Sequence, residues 1–263
     1  MFKSKTYWII GASEGLGEAL AKQLHQDGAK LILSARNAER LAAVAKAAGG
    51  ARTVPLDVTD TNSVNDAMTR IGDLDGVIYC VGQYDPVPAT DWQPQAVEAM
   101  CEANFMGAVR VLGHVVPRFV AKGQGHVVLI GSLAGHRGLP GSVGYGASKA
   151  ALMHLGESLQ ADLRETDLKV QVINPGFIQT RLTAKNGFRM PMIQTPEVAA
   201  QNVMTAMRSN RLETNFPAPF SLLFTLGKRL PKTLFWRLFG KPENTTPGSG
   251  AKPRGTGTLG PSA

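Results

Sequence analysis

Short apolar runs alternate with stretches of helical periodicity over most of the chain. Thr6–Ile10 is a β-prone run, and after it Leu16, Leu20 and Leu24 recur at helical spacing. Similar runs predict strands at 30–34, 52–56, 76–80, 125–131 and 168–174, with helices between them. The longer helices are expected over 102–121 and 143–165, and Glu213–Phe216 reads as a short last strand. Val127 to Ile130 is apolar without alternation, as in a parallel strand covered on both faces. The pattern predicts a doubly wound parallel sheet with right-handed crossovers. Ligands of such sheets sit beyond the carboxyl ends of the strands. Gly11, Gly82, Ser132 and Asn174 all fall at predicted strand ends on that edge.

The pattern changes near residue 215. Residues 1–215 read as one α/β domain, 216–239 as an apolar and basic helical extension, and 240–263 as a disordered tail rich in Pro, Gly, Ser and Thr. In the extension, Phe220, Leu223, Phe224 and Leu226 precede Lys228 and Arg229. After Pro231, the residues Leu234, Phe235 and Leu238 form an apolar stripe beside Lys232 and Arg237. Large apolar groups, Trp236 and flanking cations suit peripheral contact with an anionic membrane through 216–239. Two alternatives stay open: the segment covers the entrance of a lipophilic substrate site, or it packs on the protein's own surface or on a dimer partner.

Charge follows the same division. The net charge is +8, and residues 205–263 carry nine Lys or Arg against two Glu, so the body is close to neutral. This argues against a nucleic-acid-binding fold. Cys80 and Cys101 lack metal-ligand spacing, and His114, His126, His136 and His154 are scattered over different elements, so no metal is expected. The N-terminus runs straight into the first predicted strand, and no run of about 18 apolar residues is present. A reduced, cytoplasmic protein is the expectation.

Two constellations carry chemistry. Gly11-Ala-Ser-Glu-Gly15-Leu-Gly17 lies between a predicted strand and a predicted helix. Such a turn lets the backbone approach a pyrophosphate and presents the free N–H groups of a helix N-terminus to it. Its G-x-x-x-G-x-G spacing differs from the G-x-G-x-x-G fingerprint. Tyr145 and Lys149 sit four residues apart, so on a helix both side chains share one face, and Ser132 lies thirteen residues upstream of Tyr145. A free tyrosine with a pKa of about 10 is a poor acid or base at neutral pH. A neighbouring ammonium lowers that value and makes Tyr145 a candidate general acid/base.

Together these motifs resemble the short-chain dehydrogenase/reductase family in its compact single-domain branch, over roughly Lys5 to Arg211. The resemblance implies a Rossmann-like fold and hydride transfer between a nicotinamide and a carbonyl or secondary alcohol. It makes Ser132, Tyr145 and Lys149 the catalytic trio, with Asn104 as a fourth member that positions a proton-relaying water. It places Gly11, Ser13, Gly15, Leu16 and Gly17 at the cofactor turn, with Asp57 and Val58 at the adenine. Gly82, Pro175, Gly176, Ile178 and Thr180 fall along the nicotinamide side, and Lys149 also holds the nicotinamide ribose. One departure stands out: the family's Asn-Asn-Ala-Gly is replaced by Tyr79-Cys80-Val81-Gly82, so the hydrogen bonds of those asparagines must be supplied otherwise. The family also implies a homodimer or homotetramer, paired through the helices at 102–121 and 143–165.

The cofactor preference is read at the end of the second strand. Ala35 stands where an acidic residue would hold the ribose 2′-hydroxyl of NAD(H), and Arg36 follows it. A guanidinium grips a 2′-phosphate with charge-assisted bonds, so NADP(H) is favoured, with Ser13 and Ser34 as further phosphate donors. Glu14 within the turn opposes that reading. Phe188, Met190 and Met192 are expected to line an apolar substrate pocket. A non-catalytic dinucleotide-binding regulator of the same fold is the competing class. An epimerase or dehydratase would need a larger substrate domain and a different glycine spacing.

Overall fold

The computed structural model describes residues 1–237. The expectations for Leu238, Phe239 and the tail at 240–263 lie outside the described residues.

Strands β1 (Thr6–Ile10), β2 (Lys30–Ser34), β3 (Arg52–Thr53), β4 (Gly76–Tyr79), β5 (Gly125–Ile130), β6 (Leu168–Pro175) and β7 (Glu213–Phe216) form one sheet in the order β3-β2-β1-β4-β5-β6-β7. Every pairing is parallel. The helices are α1 (Gly15–Gln26), α2 (Ala38–Ala47), α3 (Thr61–Ile71), α4 (Pro94–Cys101), α5 (Gly107–Lys122), α6 (Val143–Asp162), α7 (Pro196–Arg208), α8 (Ala218–Thr225) and α9 (Lys232–Arg237).

Strand alternation divides the core into two layers. Tyr7 and Ile9 of β1 face α1, α2 and α7, whereas Trp8 and Ile10 face α3, α5 and α6. Both faces are covered, which is why the strands read as unbroken apolar runs. The strand order reverses between β1 and β4, and ligands of open α/β sheets bind at such a switch point.

Two elements differ from expectation for local reasons. The predicted strand at 52–56 is regular only over Arg52–Thr53, although the N–H groups of Val54 and Leu56 still donate to the carbonyls of Leu33 and Ala35. Pro55 between them is tolerated because the N–H it lacks would face the open edge of the sheet. The predicted helix at 102–121 is the end of a longer helical run. It begins with α4, passes through one π-helical turn at Glu102–Met106 and continues as α5. The Tyr79 hydroxyl, buried at the end of β4, donates to the Ala103 carbonyl in that turn at 2.6 Å. The tyrosine that replaces a family asparagine therefore supplies a bond to the carbonyl of a π-turn residue.

A buried polar chain ties three strands together away from the glycine turn. Gln171 of β6 donates through Nε2 to the carbonyls of Ala206, Ser209 and Arg211, so its Oε1 faces His126 and accepts from the ring's Nε2. Nδ1 of the neutral ring then accepts from the Tyr7 hydroxyl at 2.9 Å. Burial, with Lys169 adding to it, holds the His126 pKa down at about 4. The unfolded chain, with a histidine near pH 6.5, binds this proton before the folded one does. Stability should therefore be unaffected by this group above pH 6.5 and fall by up to about 3 kcal/mol as the pH drops to 4. Urea unfolding of the parent and of His126→Gln at pH 7 and pH 5 checks it: the variant should lose less stability between the two.

Candidate active site

A cavity of about 1390 Å³ opens along the carboxyl edge of the sheet, from Arg36 at one end to Phe188 and Phe224 at the other. The glycine turn forms its floor. Gly11 has a positive φ of 90°, and a Cβ on it would lie 2.9 Å from the backbone of Cys80. A Cβ on Gly17 would stand 2.1 Å from the Gly11 carbonyl oxygen, so α1 can pack this closely on β1 only with glycine there. Gly11 and Ala12 both donate to the Ser34 carbonyl, which fixes the turn on β2. Glu14, the N-cap of α1, makes no side-chain capping bond, so the first-turn N–H groups face the cavity free of a cap. This bare, positively polarised helix end beside a glycine cradle fits a dinucleotide pyrophosphate.

Gly11, Ser13, Gly15, Leu16, Gly17, Arg36, Asp57, Val58, Gly82, Pro175, Gly176, Ile178 and Thr180 all line this cavity with Ser132, Tyr145 and Lys149. Tyr145 stands in the first turn of α6, and Lys149 follows one turn later. The Tyr145 and Ser132 side chains line the cavity together. Burial pushes the Tyr145 pKa above the ordinary tyrosine value, the Ser132 hydroxyl pulls it back, and the nearby Cys80 adds to the rise. The Lys149 ammonium is buried and donates to the carbonyls of Ile130 at 2.9 Å and Val81 at 3.2 Å. It lies 6.0 Å from the Tyr145 ring centre, and burial lowers its pKa to about 8. The expectation that Lys149 draws the tyrosine below its ordinary value is thus not met in this arrangement, because the ammonium turns to the strand-end carbonyls and burial dominates at Tyr145.

Two predicted site residues do not reach the cavity. Ser34 is fully buried beneath the sheet, where its Oγ accepts from the Trp8 indole at 2.8 Å and donates to the Val54 carbonyl at 2.6 Å. Strand alternation puts its side chain on the face opposite Leu33 and Ala35. It is not a phosphate donor. Asn104 is also fully buried and its side chain is bonded throughout: Oδ1 accepts from Gln83 N–H at 2.7 Å, and Nδ2 donates to the Gln83 carbonyl and the Ser148 hydroxyl, both at 2.9 Å. Ser148 in turn donates to the Tyr145 carbonyl. Asn104 positions the strand-end loop against α6 through Gln83, which lines the cavity, but is not itself among the lining residues, and its amide has no free donor with which to hold a water.

Sequence reasoning also missed contributors. Arg40, in the first turn of α2, lines the cavity and pairs with Glu14 at 2.8 Å, while Arg181 pairs with the other Glu14 oxygen at 2.6 Å. The carboxylate that opposed phosphate binding is therefore held by two guanidinium groups. Among the described residues Arg36, exposed at the cavity mouth, has no carboxylate partner. The signal for Arg40 was a second arginine one helical turn beyond Arg36, behind the capping Asn37. Tyr84 packs edge-on to Tyr145 with ring centres 5.1 Å apart. Of the three expected lining residues, Phe188 reaches the cavity, whereas Met190 and Met192 do not, and Met192 is 48% exposed.

A parallel sheet that carries a glycine cradle and a Ser–Tyr–Lys cluster on one edge defines a dinucleotide-dependent oxidoreductase. Residues 5–189 match the model of the short chain dehydrogenase family, and the chain belongs to that family. A protein of Myxococcus xanthus (strain DK1622) described as an uncharacterized oxidoreductase is 34% identical over 239 residues, 88% of this chain and 94% of that protein. The serine dehydrogenase of Escherichia coli is 25% identical with a TM-score of 0.72, covering 81% of this chain and 98% of that one. A short chain dehydrogenase of Burkholderia cenocepacia J2315, solved in complex with NADP, shares the fold with a TM-score of 0.80 at 24% identity, over 92% of this chain and 100% of that one. The chain is an NAD(P)-dependent oxidoreductase of this family.

The placements of Ser34 and Arg36 make opposite predictions. Ser34→Ala leaves the Trp8 indole without its partner and should cost about 1–3 kcal/mol, with NADPH affinity unchanged. Arg36→Ala should leave the melting temperature unchanged and weaken NADPH much more than NADH. Thermal melts and fluorescence titrations of both variants decide between these patterns.

Proposed function

We propose that the protein transfers hydride between NADP(H) and a lipophilic ketone or secondary alcohol, with Tyr145 as general acid/base. The observation that carries this reading is that Tyr145, half-buried and one helical turn from Lys149, lines the cavity with Ser132 at the point where the glycine cradle meets an apolar chamber. Bound nicotinamide supplies the hydride chemistry. In the reductive direction the Tyr145 hydroxyl protonates the substrate oxygen, and in the oxidative direction its phenolate removes the alcohol proton. Ser132 offers its hydroxyl to the same oxygen and steadies negative charge as it develops. The positive end of α6 favours the tyrosinate in its first turn. Lys149 keeps a cation against the site and orients the nicotinamide ribose. The preference for NADP(H) is supported by Arg36 at the mouth, by Ala35 in place of an acid, and by the neutralisation of Glu14.

The substrate class follows from the far half of the cavity. Leu133, Leu139, Phe177, Phe188, Phe220 and Leu223 wall it, and the polar side chains lining the same cavity near them are engaged within the protein, Tyr84 donating to Asn186 at 2.7 Å and Lys185 pairing with Asp85 at 2.6 Å. Phe188, Phe177, Phe220 and Phe224 form a continuous series of ring contacts with centres 5.1–5.9 Å apart. Such walls reward apolar length and leave polar groups unpaired.

Tyr145→Phe should keep NADPH binding and lower kcat by at least about 100-fold; near-normal turnover by a folded variant would remove Tyr145 from the chemistry. In a homologous series of straight-chain ketones with NADPH, kcat/KM should rise roughly fourfold for each methylene buried until the chamber is full. A flat or falling series would exclude the lipophilic class while leaving the catalytic assignment intact.

A further inference from the structure

The C-terminal extension has two faces, and only the inner one is accounted for by the cavity. In α8, Phe220 and Phe224 are four residues apart and point to the body, where Phe224 packs with Leu133 and Phe235 in a small core of its own. Leu222 and Leu226, also four apart, point the other way and are 53% and 58% exposed. Further along the same segment Leu230, Leu234 and Trp236 are 38–45% exposed. A surface of five large apolar side chains on one short segment exceeds the scattered exposure normal for a soluble face.

Cations flank it. Arg229, Lys232 and Arg237 are exposed on the same segment, and no Asp or Glu occurs between Glu213 and Glu243. The platform is fixed to the active-site side of the molecule. Arg137 donates to the carbonyls of Gly227 and Leu230, and its guanidinium lies 4.8 Å over the Phe235 ring. The Trp236 indole donates to the Gly138 carbonyl at 3.0 Å.

We propose that this outer face rests on an anionic lipid surface, with its leucines and Trp236 in the headgroup boundary and Arg229, Lys232 and Arg237 against lipid phosphates. Charge selects this occupant. A second copy docked through the same patch would bring two cationic rims face to face, whereas an anionic bilayer complements both the rim and the apolar centre. Among the described residues no helix is long and apolar enough to cross a membrane, so the contact is interfacial. One segment then touches lipid on its outer side and walls the apolar chamber with Phe220, Leu223 and Phe224 on its inner side.

Co-sedimentation of the full chain with vesicles tests this without any measurement of activity. At low salt the protein should pellet with phosphatidylglycerol–phosphatidylcholine vesicles, stay in solution with phosphatidylcholine alone, and be released by salt. Arg229→Gln with Lys232→Gln should lower the partition coefficient about 30-fold. Leu226→Ser with Leu230→Ser should also release the protein from vesicles at an unchanged melting temperature; if that pair unfolds, the charge pair decides alone. The proposal is overturned if the full chain remains in the supernatant with anionic vesicles at low salt, or if the charge-neutralised variant pellets like the parent. It is equally overturned if the leucine variant changes the mass seen by light scattering and leaves pelleting untouched, for the patch is then a contact between protein chains.

Discussion

A buried ammonium group sets the terms for this site. Lys149 gives up most of its hydration and is compensated by two carbonyls, from Ile130 at the end of β5 and Val81 just beyond β4. An ion held this way must have both strand ends at fixed distances, or the cost of its desolvation goes uncompensated. The sheet, α6 and the loop after β4 are thereby locked to one another beside Tyr145 and Ser132. Tyr145, one turn earlier on α6, inherits its position from that lock, and with it its place beside Ser132 in the cavity wall.

Second supports keep the lock rigid. Asn104 joins the Gln83 backbone to Ser148, and Ser148 reaches the Tyr145 carbonyl, so both sides of the loop after β4 are tied to α6. The π-helical turn that contains Asn104 is itself bonded to β4 through Tyr79. Asn104, Ser148 and Tyr79 do not line the cavity, yet each restricts where the tyrosine hydroxyl can be. The glycine turn is held in the same manner from below, by the Ser34 carbonyl on β2.

Much of this was legible in the sequence because it rests on periodicity and on spacing along one element. The sheet followed from apolar runs, and the common edge of Gly11, Gly82, Ser132 and Asn174 followed from where those runs end. The shared face of Tyr145 and Lys149 followed from helical pitch. What was not legible depends on the direction of a single side chain in three dimensions. Ser34 sits at the right strand end, but pleating turns it under Trp8. Asn104 carries the right residue type, but its polar atoms are consumed by Gln83 and Ser148. Glu14 read as an obstacle to phosphate because its partners, Arg40 and Arg181, lie 26 and 167 residues away along the chain. Long-range ion pairing leaves no local pattern.

The Tyr79 contact also constrains which sequence changes this fold can accept. A Cβ on Gly107 would lie 2.4 Å from the Tyr79 hydroxyl oxygen and 2.6 Å from a Val58 methyl, so the tyrosine occupies space that a side chain at 107 would need. Restoring the family's asparagine at 79 alone would leave a void beside Gly107 and an unpaired Ala103 carbonyl; enlarging residue 107 alone would collide with the phenol. The two positions are bound as a pair, and a lineage passing between the asparagine and tyrosine versions has to cross a less stable intermediate or change both together.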